Sequence, residues 1–443
     1  MNIFGYQIDL VIAGFVVAVI AALIALFAWI LPRRARLDKS TENKIRAIEK
    51  LLKTIANRSD IPIYVDGLTS APPSVFDPFA KGVKLMAEYK WDEAIAEFKK
   101  SMQEAKASQL VALYNFMGLC HYTPGKLDLA LENYENSLNI SREFNDKQGE
   151  AAVLGNLGLI MEIKGDLDKA LEFYEMAMKI YGELNDKKGK AINLSNLGIV
   201  FQIKGDFEKA LKYYKDALTI NEGLERKEGI ASQLGNIGLI YQLKGDLDKA
   251  LEYQENALKI CTELNYIEGK AIAFDNIGVI YQIRGDLEKA IEYHQSALKI
   301  NREIGKKAGE ARSLSNLSLI FQDSRDLGKA LKYQEDALKI NKEISDKVGE
   351  SMTLNNLGLI FQDSGDLDKA LKYHEDALKI DREIGNKESI AQSLGNLGLL
   401  FTAKGEKEKA LRYFEDALKI FTQIGAKIEI EKTKENIKRL KGG

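Results

Sequence analysis

A chain of 443 residues with 45% hydrophobic and 29% charged side chains and only six prolines is built to fold, which excludes a disordered tail or a collagen-like fibre. Its 63 basic and 65 acidic residues leave a net charge of −2, without the clustered cations that displace counterions from phosphates, so no nucleic-acid partner is expected. Cys120 and Cys261 are too few for a disulfide framework or a CxxC metal knuckle, and His121, His294 and His374 leave little for metal or nucleophile chemistry.

Residues 1–9 read as a short extracytoplasmic terminus. Leu10 to Leu31 then runs 22 residues without a charge, long enough as a helix to cross a hydrocarbon core of about 30 Å. No basic side chain precedes it, whereas Arg33, Arg34 and Arg36 follow Pro32. A cleaved signal peptide would show the reverse order. The expectation is a single transmembrane helix over 10–31 that contacts the lipid bilayer, with Trp29 at the inner interface, the amino terminus outside and everything after Pro32 in the cytoplasm at a cell membrane.

Residues 32–58 carry nine basic against three acidic residues. Ile45, Ile48, Leu52 and Ile55 share one face of a short amphipathic helix. Three arrangements stay open for it: an oligomerising stalk, a helix on anionic lipid headgroups through residues 33–58, or packing on the neighbouring domain. Residues 59–74 belong to a proline-rich stretch, Arg58 to Pro78, that reads as an extended connector.

From residue 75 to 427 the chain repeats itself. SNLGIVFQIKGDFEKALKYYKDAL from Ser195, GNIGLIYQLKGDLDKALEYQENAL from Gly235 and NNLGLIFQDSGDLDKALKYHEDAL from Asn355 align without gaps at a spacing of 40 residues or its multiples. Such a period means stacked units that cannot bury their own apolar face alone. Each unit splits at a Gly-Asp turn, as at Gly165-Asp166, with Gly supplying a left-handed helix end and Asp capping the next helix, so each is a helical hairpin. On its first helix Leu154, Leu157, Gly158 and Met161 share a face, Gly158 being read as a place where a neighbouring backbone comes close. On its second, Ala170, Tyr174 and Ala177 answer. Nine units start near Val75, Val111, Ala151, Ala191, Ala231, Ala271, Ala311, Ser351 and Ala391, the first two divergent. Residues 428–443 hold a final polar helix, Ile428 to Leu440, suited to a cap.

These residues resemble the tetratricopeptide repeat family, in the long forty-residue form similar to kinesin light chains and spindle-orientation adaptors. The resemblance implies an all-α, right-handed superhelical solenoid with a concave groove lined by the first helices. On the groove side stand Asn156, Asn196, Asn236, Asn276, Asn316, Asn356 and Asn396, with Gln202, Gln242, Gln282, Gln322 and Gln362 one turn on and Glu162 and Thr402 at the ends of that row. Amides donate and accept together, so a ladder of them can pair with the backbone of an extended peptide. In the resembling adaptors the matching Asn ladder does this. The competing reading is that the ladder ties adjacent helices together. Asp275, Asp323 and Asp363 beside Arg312 suggest a ligand with some basic character.

Enzymatic classes fare badly. His294 and His374 occupy the Tyr174 position, which reads as half-buried packing. Cys120 and His121 point to different faces, and no Walker loop, HExxH or GxGxxG occurs. No catalytic residue, metal or cofactor is expected. Asp168 with Lys164 and Glu208 with Lys212 read as solvated ion pairs. The function expected is a membrane-anchored adaptor that binds a protein or peptide segment and recruits it to the cytoplasmic membrane face. The alternatives are a self-assembling scaffold or coat and a regulatory subunit of a separate enzyme. The repeats alone are expected to be monomeric, with any oligomer depending on residues 10–55.

Overall fold

The computed structural model describes residues 71–442 together with Ile45, Ala47, Ile48 and Leu68. The apolar run 10–31, the cations that follow it and most of the proline-rich connector lie outside the described residues. Among the described residues no helix is long and apolar enough to cross a membrane. Ile45 and Ile48 are buried in the core cluster of the first repeats, which is the third of the arrangements open for the basic helix.

The described residues form nineteen helices and no strand. They pair as nine hairpins: α1 Pro73–Ala87 with α2 Trp91–Met102, α3 Ala107–Tyr122 with α4 Leu127–Glu143, α5 Lys147–Ile163 with α6 Leu167–Glu183, α7 Lys187–Ile203 with α8 Phe207–Gly223, α9 Lys227–Leu243 with α10 Leu247–Glu263, α11 Ile267–Arg284 with α12 Leu287–Glu303, α13 Lys307–Asp323 with α14 Leu327–Glu343, α15 Lys347–Asp363 with α16 Leu367–Ile384, and α17 Lys387–Ala403 with α18 Lys407–Ile424. The cap is α19, Lys427–Gly442. The first helix begins inside the stretch read as connector, because Pro73 takes the first helical position, where a missing N–H costs nothing, and Pro78 is accommodated within α1.

The turn chemistry follows the sequence. Gly165 has φ 70°, its N–H bonds the Glu162 carbonyl at 2.9 Å, and the Asp166 carboxylate accepts from the Lys169 N–H at 3.3 Å. The connections between hairpins are less legible, since Asn145, Asn185, Glu225 and Asn265 take the left-handed conformation there without glycine.

In seven of the nine hairpins the glycine of the first helix receives a ring, whereas Gly238 receives the Gln254 amide and the Ala250 carbonyl, and Ser318 stands where the seventh hairpin would have its glycine. A β-carbon on Gly158 would stand 2.5 Å from the Tyr174 ring, and Gly118 with Tyr134, Gly198 with Tyr214 and Gly398 with Phe414 repeat the arrangement. Ala170, Tyr174 and Ala177 are all fully buried. The surface ion pairs also differ from expectation: Lys204 reaches back to Asp168 at 2.7 Å and Lys244 to Glu208 at 2.6 Å, each pair joining one repeat to the next. Lys164 accordingly pairs with Asp128 and not with Asp168.

First helices of successive repeats pack on one another, which sets them on the inside of the curve. The curve closes far enough for late repeats to meet early ones. Trp91 Nε1 donates to the Ile344 carbonyl at 3.5 Å across 253 residues of sequence, and Ile384 enters the core cluster of the first repeats. The left-handed turn at Gly125 is covered by Ile384 and Lys347, that at Gly165 by Ile424 and Lys387.

Candidate functional interior

The amide ladder divides in two. Asn156, Asn236, Asn276 and Asn316 are buried, whereas Asn196, Asn356 and Asn396 are half-buried and reach the surface. Two of the buried ones are engaged between helices: Asn156 Nδ2 donates to Asn115 Oδ1 at 2.7 Å and Asn276 Nδ2 donates to Gln254 Oε1 at 3.0 Å, while Asn316 Nδ2 lies 3.4 Å from His294 Nδ1. Gln202 is buried and accepts from the Tyr214 hydroxyl at 3.1 Å, and Gln242 is buried as well. Further along, Gln282 Nε2 donates to Asp323 at 2.8 Å and Gln322 Nε2 to Asp363 at 2.6 Å, so the amide row and the acidic row knit one repeat to the next. Gln362 is half-buried, and its Oε1 has no partner.

Behind this face lie two polar networks that sequence reading missed. The residues at their centres, His294 and His374, are fully buried, not half-buried, with their rings seated over Gly278 and Gly358. In the first, His294 Nδ1 donates to Asp275 Oδ1 at 2.8 Å, Ser313 Oγ donates to Asp275 Oδ2 at 2.9 Å, and Asn301 Nδ2 donates to Ser313 Oγ at 3.2 Å. Arg312 Nε stands 3.8 Å from the same carboxylate. In the second, His374 Nδ1 donates to Asn355 Oδ1 at 3.0 Å and Asn355 Nδ2 to Ser393 Oγ at 2.7 Å. The Ser393 and Ser351 hydroxyls both donate to Asp381, at 2.6 and 2.5 Å. The carboxylate and the amide have exchanged places around a serine that relays between them. The signal was present in the sequence, since Asp275, His294, Asn301 and Ser313 align with Asn355, His374, Asp381 and Ser393 two repeats later.

Burial pushes the Asp381 carboxyl up to about 6, against the two hydroxyl donors, and pushes His374 down to about 4. The His294–Asp275 pair has the composition of a general base with its orienting acid. It has no access, however, because Nε2 is buried without a partner among the described residues and a β-carbon on Gly278 would already touch it at 2.7 Å. Asp275 is therefore a buried structural acid and not a surface charge facing a basic ligand.

Where the late repeats approach the early ones, carboxyls converge. Glu162 is half-buried, accepts from the Tyr174 hydroxyl at 3.2 Å, and is pushed up to about 8 chiefly by burial and further by Glu388. Glu388 is pushed up to about 7 by burial and by Glu429. At another point of the wall Lys188, whose Nζ has no partner, is driven down to about 6 by burial and by nearby Arg226. Both cysteine thiols are buried and raised by burial, that of Cys261 to about 11, which keeps them unreactive. Among the described residues no group of His, Cys, Asp and Glu could hold a metal ion.

A tetratricopeptide repeat family model matches residues 108–183, 149–223, 189–263, 229–303, 269–343 and 350–423, together well over half of the chain. No curated protein sequence matches. Among solved structures, the fold is similar to that of a Rap protein complexed with competence and sporulation factor, with a TM-score of 0.54 at 15% identity over 80% of this chain and 99% of that one. BtubC from P. vanneervenii is 24% identical, with a TM-score of 0.39 over 50% of this chain and 91% of its own. A putative kinesin light chain from Podosopora anserina with nearly identical TPR-like repeats is 16% identical, with a TM-score of 0.35 over 43% of this chain and 93% of its own. The forty-residue hairpins, the glycine-seated ring in seven of the nine and the six family-model matches together place this chain in the tetratricopeptide repeat family.

Proposed function

We propose that this protein is a membrane-anchored adaptor that holds an extended protein segment on the inner face of its solenoid and so gathers partners at the cytoplasmic face of a cell membrane. The observation that carries the reading is the half-buried amide set, Asn196, Asn356, Asn396 and Gln362, which keeps accessible surface on the inner helices while buried Asn156 and Asn276 are engaged between helices. The Rap protein of similar fold, complexed with competence and sporulation factor, supports a solenoid of this kind holding a separate molecule. Tethering raises the local concentration of whatever is captured, so the individual contacts need not be tight.

Replacing Asn196, Asn356 and Asn396 with Ala is expected to remove the captured partner from a pull-down out of native membranes, read by mass spectrometry, with helicity unchanged. Retention of the same partner by the triple variant would sink the reading. The equivalent substitutions at Asn156 and Asn276 are expected to cost about 1–3 kcal/mol of stability, because they strip partners from the buried Asn115 and Gln254 amides.

The anchor rests on the uncharged run 10–31 and the arginines after it. Protease added to intact spheroplasts is expected to leave the repeats uncut. Their digestion would reverse the proposed orientation.

A further inference from the structure

The residue that ends each second helix forms a column along one edge of the solenoid: Phe144, Leu184, Leu224, Leu264, Ile304, Ile344, Ile384 and Ile424. Its late members are buried, Ile344 at 3%, Ile384 at 6% and Ile424 at 3% exposure, because this edge docks on the turns of the early repeats, Ile344 by Trp91, Ile384 on Gly125 and Ile424 on Gly165. The first residue of the next helix docks with it, since the β-carbons of Lys347, Lys387 and Lys427 cover the turns at Gly125, Gly165 and Gly205. Lys427 also acts on the carboxylate of Asp206 beside the last of these turns. The contact is therefore a ridge of apolar side chains and lysine stems seated on a row of glycine turns, the last two edged with acid at Asp166 and Asp206.

Both halves of that contact continue past the point where the chain can use them. On the ridge side Phe144 is 59% exposed, Leu184 43% and Ile304 37%. With Ile267, which takes the place of Lys347 in its repeat, they make up four of the five large apolar side chains exposed among the described residues. On the turn side a β-carbon on Gly245, Gly285, Gly365 or Gly405 would meet none of the described residues within 4 Å. The covered turns end at Gly205 and the open ones begin at the next, Gly245. The exposed ridge ends at Ile304 and the covered ridge begins at the next, Ile344.

We infer that this open edge is an interface for a second copy of the chain, stacked head to tail so that the ridge Phe144 to Ile304 of one molecule seats on the turns Gly245 to Gly405 of another. The occupant is specified by continuity with the contact inside the chain: the same columns run on in the same order, with Arg325 in place of one turn glycine. Lys147, Lys187, Lys227 and Lys307 on the ridge face Asp246, Asp286, Asp326, Asp366 and Glu406 on the turns. The contact is heterologous, so each molecule keeps one edge of each kind and growth is open-ended. It is independent of what the inner face binds, and it moves self-association from residues 10–55 to the repeats themselves.

Sedimentation velocity on the full chain in detergent, over a concentration series, tests this. The wild type is expected to associate progressively. Phe144→Glu with Leu184→Glu on the ridge, or Gly285→Arg with Gly365→Arg on the turns, which with native Arg325 sets cations on three consecutive turns against the ridge lysines, is expected to weaken association at least tenfold. Arg325, at φ 65°, shows that the turn accepts arginine, and circular dichroism checks that each variant keeps its helices. Because the two blocked chains retain opposite edges, mixing them is expected to give a one-to-one heterodimer and nothing larger. A wild type that stays monomeric, association that survives both blocks, or a mixture of folded variants that stays monomeric would each overturn the inference.

Discussion

Asp275→Ala is expected to lower the stability of the chain by about 2–4 kcal/mol, concentrated in the repeats around α11 to α13, because it deprives two buried donors of their shared acceptor. His294 Nδ1 and the Ser313 hydroxyl both end on that carboxylate, at 2.8 and 2.9 Å, and neither can turn to water. Hydrogen exchange should show the loss locally, since a solenoid is stabilised mainly by nearest-neighbour interfaces.

The second network states how the damage can be repaired. Asp275→Asn alone is expected to destabilise, whereas Asp275→Asn with Asn301→Asp reproduces the arrangement of Asn355 and Asp381 and is expected to recover a large part of the loss. The Ser313 hydroxyl then reverses, accepting from residue 275 and donating to residue 301. Asp381 has a second donor in Ser351 at 2.5 Å, where the first network has Ala271, so adding Ala271→Ser is expected to bring the recovery closer to completion. If the double variant is no more stable than Asp275→Asn, the two networks are not interchangeable and the carboxylate position is fixed by Arg312.

The contact between late and early repeats is expected to weaken as pH rises from about 5 to 8. Glu162 and Glu388 titrate near 4.5 in an unfolded chain and are raised to about 8 and about 7 in the fold. In that window the folded state holds protons that the unfolded state has released, so stability falls with rising pH and levels off once both are ionised. The loss is about 1–2 kcal/mol at pH 8, allowing for the water that still reaches Glu162. Lys188 works in the opposite sense: lowered to about 6, it makes stability rise with pH above that value. Asp381 and His374 titrate mainly below the upper part of the window. The informative measurement is therefore the difference between thermal unfolding curves of wild type and Glu162→Gln. The variant is expected to gain on the wild type steadily from pH 5 to 8, and a constant difference would show that Glu162 does not hold its proton across the contact.

The amino-acid sequence by itself determined the hairpin, its forty-residue period and the stacking of its units. Those features are local: Gly165 and Asp166 end one helix and cap the next, and Ala170, Tyr174 and Ala177 recur at the spacing of a single helix face. It also marked the amide ladder, because Asn and Gln recur at fixed positions. Which of those amides reach the surface was decided by neighbours on other helices. Asn276 meets Gln254 and Asn316 approaches His294, partners that belong to the preceding second helix and carry no signal at helical spacing. The pairing of Lys204 with Asp168 likewise depends on the angle between successive repeats. So does the division of one column into buried Ile384 and exposed Leu184, since identical local patterns become core or surface only when accumulated rotation brings one turn of the solenoid onto another. Small per-repeat rotations sum over the whole array, and no single repeat encodes their total.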